Sequence, residues 1–372
     1  MGLTSNSVLV SAVLSAVLLF AGTVWLWPRL ARRTWRAVGG RIGLLLATQL
    51  ALFAAVGLAA NQAFGFYASW ADLFGQEGEQ GVVVDHTRGG GPLEVVASRR
   101  VPGAGGARPE AGGRIQQVGI AGRTTGIVTS AYVYLPPEYY QKRYRTRGFP
   151  AAVVLTGYPG TASALVEKLR YPLTALELAR AGRARPMILV MLRPTLAPPR
   201  DTECVDVPGG PRTESFFARD LPDALRAHYR IPAGPGGLGI IGNSTGGYCA
   251  LKIALHHPRV YSAGAGLSAH YKAPVDATTG DLFQGDKRLR NRADLWWCLA
   301  NTPAPDISLL VTSSRRGEAG HGDTLRFIDR VKATGRTRIS SIVLESGGHN
   351  FTTWRREIPA ALEWMSGRLN IR

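Results

Sequence analysis

The sequence predicts an α/β protein, a mostly parallel sheet with helices on both faces, preceded by two transmembrane helices. Three observations predict it. Two long uncharged apolar runs lie near the start of the chain. From residue 125 on, short apolar segments bounded by Pro and Gly alternate with helical stretches. One apolar strand runs straight into G-x-S-x-G and then into a helix.

The first run, residues 8–27, has 20 residues without a charge, and at about 1.5 Å per residue it spans the roughly 30 Å of a bilayer core. Residues 42–60 form a second run of 19. The loop between them, residues 28–41, carries Arg29, Arg32, Arg33, Arg36 and Arg41 and no acid, so it belongs in the cytoplasm and everything after residue 61 belongs outside. A cleaved signal peptide would start with basic residues, and none precedes Arg29. Buried helices of a soluble protein fit poorly with two runs this long. Trp25, Trp27 and Trp35 stand where interfacial aromatics stand. The expected organisation is a membrane anchor over 1–62, a juxtamembrane segment with a Gly-rich linker and an edge strand over 63–124, and a catalytic domain over 125–372.

The chain of 372 residues carries 44 Lys and Arg against 26 Asp and Glu, a net charge of +18. The first acid is Asp72, so the outer part keeps an excess of positive charge. Such a field favours anionic head groups, wall polymers or acidic substrates, although a bias toward Arg explains it equally well. The basic residues are scattered and no recognition motif is present, which argues against nucleic acid. Three Cys cannot build a disulfide scaffold and show no zinc spacing. Neither a metal nor an organic cofactor is expected.

Residues 64–74 are aromatic and suit a membrane surface. Gly-rich loops over 76–92 and 101–113 flank a short strand over 93–99. Residues 125–135 read as an edge strand, and 151–156 and 187–192 as strands buried on both faces. Helical stretches cover 163–180 with a break at Pro172, then 214–228, 246–256, 323–334 and 355–367.

The chemistry starts at Gly242-Asn243-Ser244-Thr245-Gly246, between strand 238–241 and the helix that follows. A strand turning sharply into a helix holds Ser244 above the sheet, and Gly242 and Gly246 leave out side chains that would clash there. The Thr245 amide, at the positive end of the helix, faces any oxyanion that forms. This is the nucleophile elbow of an α/β-hydrolase, and it needs a base.

His256 and His257 end a helix before Pro258, and His228 ends another, where cations suit the dipole. His86 and His321 read as solvated loop residues, and His270 as a weaker candidate for a pocket wall. His349 follows the strand 340–344 on the loop Ser346-Gly347-Gly348-His349, where this fold keeps its general base. The acid should follow the preceding strand, 307–312, which leaves Glu318 and Asp323. Asp323 is placed to cap the next helix, so Glu318 is preferred. Asp201, Glu203 and Asp206 could be read as a cation site but fit a solvated loop better. A bridge between Cys204 and Cys249 would tie that loop to the nucleophile helix, leaving Cys298 as a buried thiol, although spacing alone leaves the pairing open.

Several stretches resemble the esterase D group of α/β-hydrolases, which includes the mycolyltransferases. They are Thr213-Glu214-Ser215-Phe216-Phe217-Ala218-Arg219-Asp220-Leu221-Pro222, His257-Pro258-Arg259-Val260-Tyr261, and Gly347-Gly348-His349 with Trp354 and Trp364. The resemblance covers about residues 125–369. It implies a first oxyanion amide at Tyr158, after Val154-Leu155-Thr156-Gly157, and it also places the acid at Glu318. The small residues after the serine differ from those of the mycolyltransferases, no trehalose pocket can be matched, and those enzymes lack two spans. Acyl-ester chemistry carries over, and transfer of mycolate to trehalose does not.

Three classes follow. The first is a membrane-anchored extracytoplasmic serine esterase acting on an ester substrate, with the lipid bilayer as its partner. The second is an acyltransferase serving an envelope lipid or polymer hydroxyl. The third is a silent hydrolase fold used for binding, against which the intact Ser244, Glu318 and His349 speak.

Overall fold

The computed structural model describes residues 6–64, 91–105, 108–198 and 200–369. Most of the aromatic segment and of the first Gly-rich loop, with His86, lies outside the described residues. The chain divides into two compact units, Met1–Gly78 and Glu79–Arg372.

In the first unit, helices α1 (Asn6–Leu26) and α2 (Trp35–Phe64) are both long and apolar enough to cross a membrane. They pack on each other and leave Leu14, Leu18, Leu50 and Phe53 exposed. Thr23 and Thr48 meet between them, their hydroxyls 2.9 Å apart, while each also donates to the carbonyl one turn back. Helix α2 starts at Trp35, so Arg36 and Arg41 ride on its first turns and not on a loop. Arg is a good helix former, and counting apolar residues finds only the lipid-soluble part of such a helix.

The second unit is a nine-stranded sheet in the order β1-β2-β3-β5-β4-β6-β7-β8-β9. Strands β1 (Leu93–Arg99), β2 (Arg114–Ala121) and β3 (Val128–Leu135) are antiparallel. Strands β4 (Ala151–Leu155), β5 (Ile188–Leu192), β6 (Leu238–Asn243), β7 (Ala263–Leu267), β8 (Ser308–Arg316) and β9 (Arg338–Ser346) are mutually parallel. A register shift between Val95 and Ala97 bulges β1. Alternate residues of β4 serve two cores: Ala151, Val153 and Leu155 pack in one, Ala152 and Val154 in the other. That alternation requires cover on both faces. Helices α3 (Ala162–Glu167), α4 (Tyr171–Arg180) and α10 (Phe351–Arg368) cover one face. Helices α5 (Leu221–His228), α6 (Thr245–His256), α7 (Lys287–Arg292), α8 (Leu295–Asn301) and α9 (His321–Lys332) belong to the other.

In this unit several elements depart from the sequence reading. Strand β2 was not expected, because Gln116, Gln117 and Gly119 interrupt its apolar pattern and its partners supply the order. Strand β3 starts only at Val128: Asp220 accepts from the amides of Thr124 and Thr125 and from the Thr125 hydroxyl, which fixes a turn there. The break near Pro172 is at Arg170, with φ 56°, and the proline opens α4 instead of interrupting it. Before α5 the chain makes a π turn over Phe216–Asp220. There the residue at 222 would donate to the carbonyl of Phe217, and proline cannot, so the Tyr261 hydroxyl does at 2.7 Å.

Because β4, β6, β7, β8 and β9 are neighbours and parallel, the loops at their C-terminal ends lie side by side. In open parallel sheets that edge is where ligands bind.

Candidate active site

Ser244 is the single residue between β6 and α6, and its backbone sits at φ 55°, ψ −125°. The two glycines explain how so tight a turn closes. A Cβ on Gly242 would run into the carbonyl of Gly246, and one on Gly246 would lie 2.6 Å from the carbonyl oxygen of Leu155. The Ser244 amide donates to the Leu267 carbonyl at the end of β7, 2.9 Å away. On the other side a Cβ on Gly157 would come within 3.0 Å of the Ser244 Cβ, so the turn carrying Tyr158 abuts the serine. Thr245 opens α6, where first-turn amides have no intrahelical acceptor.

His349 arrives from the loop after β9 with Nε2 2.8 Å from Ser244 Oγ. The Gly-rich approach has a steric reason, since a Cβ on Gly347 would collide with the Ser314 hydroxyl and crowd Thr353. Asn350 caps α10 by accepting from the Thr353 amide. Trp354, one turn on, sets its ring edge-on to His349 at 5.1 Å and donates Nε1–H to Ser268 Oγ. Desolvation lowers the His349 pKa below its ordinary value; the Glu318 carboxylate opposes this and the charge of His270 adds to it. A neutral imidazole is the form that accepts a proton from serine.

Glu318 is anchored by the Ser314 amide, which donates to Oε2 at 2.7 Å, and its field reaches His349. Among the described residues no hydrogen bond joins the two side chains. Strand β8 continues through Arg316, where a loop was expected, so Glu318 follows the strand directly after Gly317 at φ 90°. Asp323 does not cap its helix: α9 begins two residues earlier with Gly320 as its cap, and Asp323 pairs with Arg326. His321 is likewise no loop residue. It opens α9 and meets Ser313 Oγ at 2.8 Å.

Cys204 and Cys249 are bonded, with Cα atoms 5.7 Å apart, tying the 201–213 loop to α6. The acids of that loop are not a solvated cluster. Asp201 and Glu203 are buried, Asp201 engages Thr245, and its carboxyl is pushed up to about 7 by burial and the charge of Glu203. Glu203 meets His270 Nε2 at 3.1 Å, and Asp206 turns away to accept from Ser215. Among the described residues no cluster of His, Cys, Asp or Glu is arranged to hold a metal.

His256 and His257 do more than face a helix dipole. His256 Nδ1 and His257 Nε2 both reach Glu214, as do the buried Lys252 and the exposed Arg292. Burial alone would raise the Glu214 pKa, but Lys252 and the histidines hold it well below the ordinary range. Lys252 Nζ also donates to the carbonyls of Glu203 and Cys204, supporting that turn from behind. Cys298 is buried beside His256, and burial pushes its thiol up to about 11.

Glu357 on α10 was not a candidate in the sequence, since it falls on a helix with no motif. It is fully buried, accepts from Thr312 through one oxygen, and has no partner among the described residues for the other. Burial, with the charge of Glu318, pushes its carboxyl up to about 8. The folded state therefore keeps a proton that the unfolded state releases above about pH 4.5, so stability falls with rising pH between about 4.5 and 8. The slope from this group is about 1.4 kcal/mol per pH unit. Glu357→Gln should flatten that fall, with a melting temperature above wild type at pH 8 but not at pH 4.5. Parallel Tm–pH curves for the two proteins would refute it.

The family model named Esterase ("Putative esterase") matches residues 123–365. An uncharacterised protein of Corynebacterium glutamicum is 24% identical over 274 residues, which cover 69% of this chain and 62% of that protein; the chain thus spans less than two thirds of its curated relative. Among solved structures, a ferulic acid esterase matches with TM-score 0.58 at 17% identity, covering 68% of this chain and 98% of its own. An S-formylglutathione hydrolase from Agrobacterium tumefaciens also gives 0.58 at 17%, covering 74% and 100%. A fluorophosphonate-binding serine hydrolase of Staphylococcus aureus gives 0.55 at 16%, covering 68% and 98%. These likenesses place the sheet and its helices in one architecture, and the family match spans the elbow and the histidine loop alike: the chain has the α/β-hydrolase fold and belongs to the Esterase family.

Proposed function

We propose that the chain is a membrane-anchored esterase whose catalytic unit faces away from the cytoplasm and hydrolyses carboxylic esters through Ser244, His349 and Glu318. The 2.8 Å approach of His349 Nε2 to Ser244 Oγ carries this reading. In it Ser244 attacks the ester carbonyl while His349 takes its proton and returns it to the leaving alcohol. The amides of Tyr158 and Thr245 hold the oxyanion, and Glu318 stabilises the imidazolium by its field. Water then resolves the acyl-enzyme. Residues 1–62 form the anchor, supported by two apolar helices joined by an arginine-rich stretch without acids. Transfer of the acyl group to an envelope hydroxyl would use the same acyl-enzyme and differ only in the acceptor.

The test is fluorophosphonate labelling of membranes carrying the full chain, with protease added to intact cells. Wild type should be labelled, Ser244→Ala should not, and the protease should remove the labelled unit. Labelling of both proteins would remove Ser244 from the mechanism. Digestion only after permeabilisation would reverse the orientation.

A further inference from the structure

Beside the serine stands a second imidazole–carboxylate pair. After strand β7, whose last carbonyl accepts from the Ser244 amide, the chain turns through Ser268 and Ala269 to His270. The His270 ring stacks on Tyr248 with centroids 4.7 Å apart and planes 18° apart, and Tyr248 lies one turn beyond Ser244 on α6. Its Nε2 is held at 3.1 Å by Glu203, which is 2% exposed, whereas the His270 side chain is 34% exposed. Glu203 belongs to the loop locked to α6 by the Cys204–Cys249 bond. An imidazole fixed this firmly and still a third exposed is a presented group and not a packed one.

The backbone agrees. Six non-glycine residues among those described have positive φ, and four of them, Glu203, Cys204, Ser244 and Ser268, belong to this network. Strained backbone of this kind persists where surrounding structure over-determines it, typically around sites that need a fixed geometry. Leu267, whose carbonyl accepts from the Ser244 amide, stands three residues before His270, so His270 stands at the sheet edge that carries the nucleophile.

We infer that His270 Nδ1, positioned by Glu203, binds a hydroxyl carried by the alcohol half of the ester, next to the ester oxygen, and so makes His270 a specificity-determining residue. This inference rests on the esterase reading above. Nδ1 is the remaining hydrogen-bonding atom in either protonation state, an acceptor in the neutral ring and a donor in the imidazolium. His270 takes no part in bond exchange. As the Ser244 Oγ–acyl bond forms and the acyl–alkoxy bond breaks, the serine proton passes through His349 to the departing oxygen.

The experiment compares 2-hydroxyethyl and n-propyl esters of one short acid, which match in size, on the full-length protein in detergent. Wild type should favour the hydroxyethyl ester in kcat/KM by about 10-fold, the scale of one hydrogen bond to a substrate hydroxyl. His270→Phe should bring the ratio to about one. His270→Gln, which keeps a hydrogen-bonding group, should restore part of it, and Glu203→Gln should lower it by loosening the ring. Both esters are read on the same preparation, so partial misfolding cancels from the ratio. A wild-type ratio near one, or a ratio unchanged in His270→Phe, overturns the inference while fluorophosphonate labelling leaves the esterase reading standing. Loss of both labelling and hydrolysis in the folded wild type overturns both.

Discussion

Ser244→Ala should lower kcat/KM for ester hydrolysis by about 10⁴-fold or more, because the acyl-enzyme route closes and only binding and oxyanion stabilisation remain. His349→Gln should cost a similar factor, and the double variant should cost little more than either single change, since the two groups act as a unit. Thermal stability separates this from misfolding. Ser244 occupies a left-handed backbone position that L residues disfavour, at φ 55°. Ser244→Gly should therefore be as inactive as the alanine variant yet more stable by about 1 kcal/mol. Steady-state kinetics with Tm measurements check both halves. Activity of either Ser244 variant within 100-fold of wild type would exclude the serine as nucleophile.

Removing the Cys204–Cys249 bond should cost up to about 4 kcal/mol, the loop-closure entropy released when a link across 45 residues is cut. Both half-cystines are fully buried, so the paired Cys204→Ala and Cys249→Ala variant adds small cavities to that loss. The bond also fixes Glu203 and Cys204 in positive-φ conformations that Lys252 supports through their carbonyls. Activity should fall by more than the unfolded fraction explains, because the loop beside Ser244 loses its register. Urea titrations of the oxidised protein and of the double variant, with active-site titration at each point, measure both effects. Coincident urea midpoints would show that the bond contributes nothing to stability. The requirement for an oxidised cystine suits the outward placement proposed for this unit.

The elbow was legible because its signal is local: a strand, five residues with two obligatory glycines, and a helix stand next to each other in sequence. His349 was legible for a related reason, as Gly347 and Gly348 mark a late loop where bulk is excluded. What escaped was set by contacts between distant segments. Glu203 meets His270 across 67 residues, and Glu214 gathers Lys252, His256, His257 and Arg292 from two later helices. In sequence the first looks like a solvated loop acid and the second like a surface helix residue. Glu357 carried no signal at all, because a carboxylate with a raised pKa reads the same as an ordinary one. The boundary errors have the same origin. The turn before β3 is fixed by Asp220, almost a hundred residues away, and Asp323 resembled a cap until α9 was seen to start at His321.

The bulge in β1 has a consequence for how such molecules coexist. A sheet of nine strands ends in two edge strands, each a template on which another strand can pair. Between Val95 and Ala97 the ladder slips, so the outer border of β1 offers no straight run of amides and carbonyls to a neighbour. At the opposite border β9 carries Arg338 and Glu345 at its ends and polar Ser340 and Ser341 within. In the anchored arrangement proposed above, copies would meet far more often than they would free in solution, and both edge strands are shaped to let such encounters end without lateral growth.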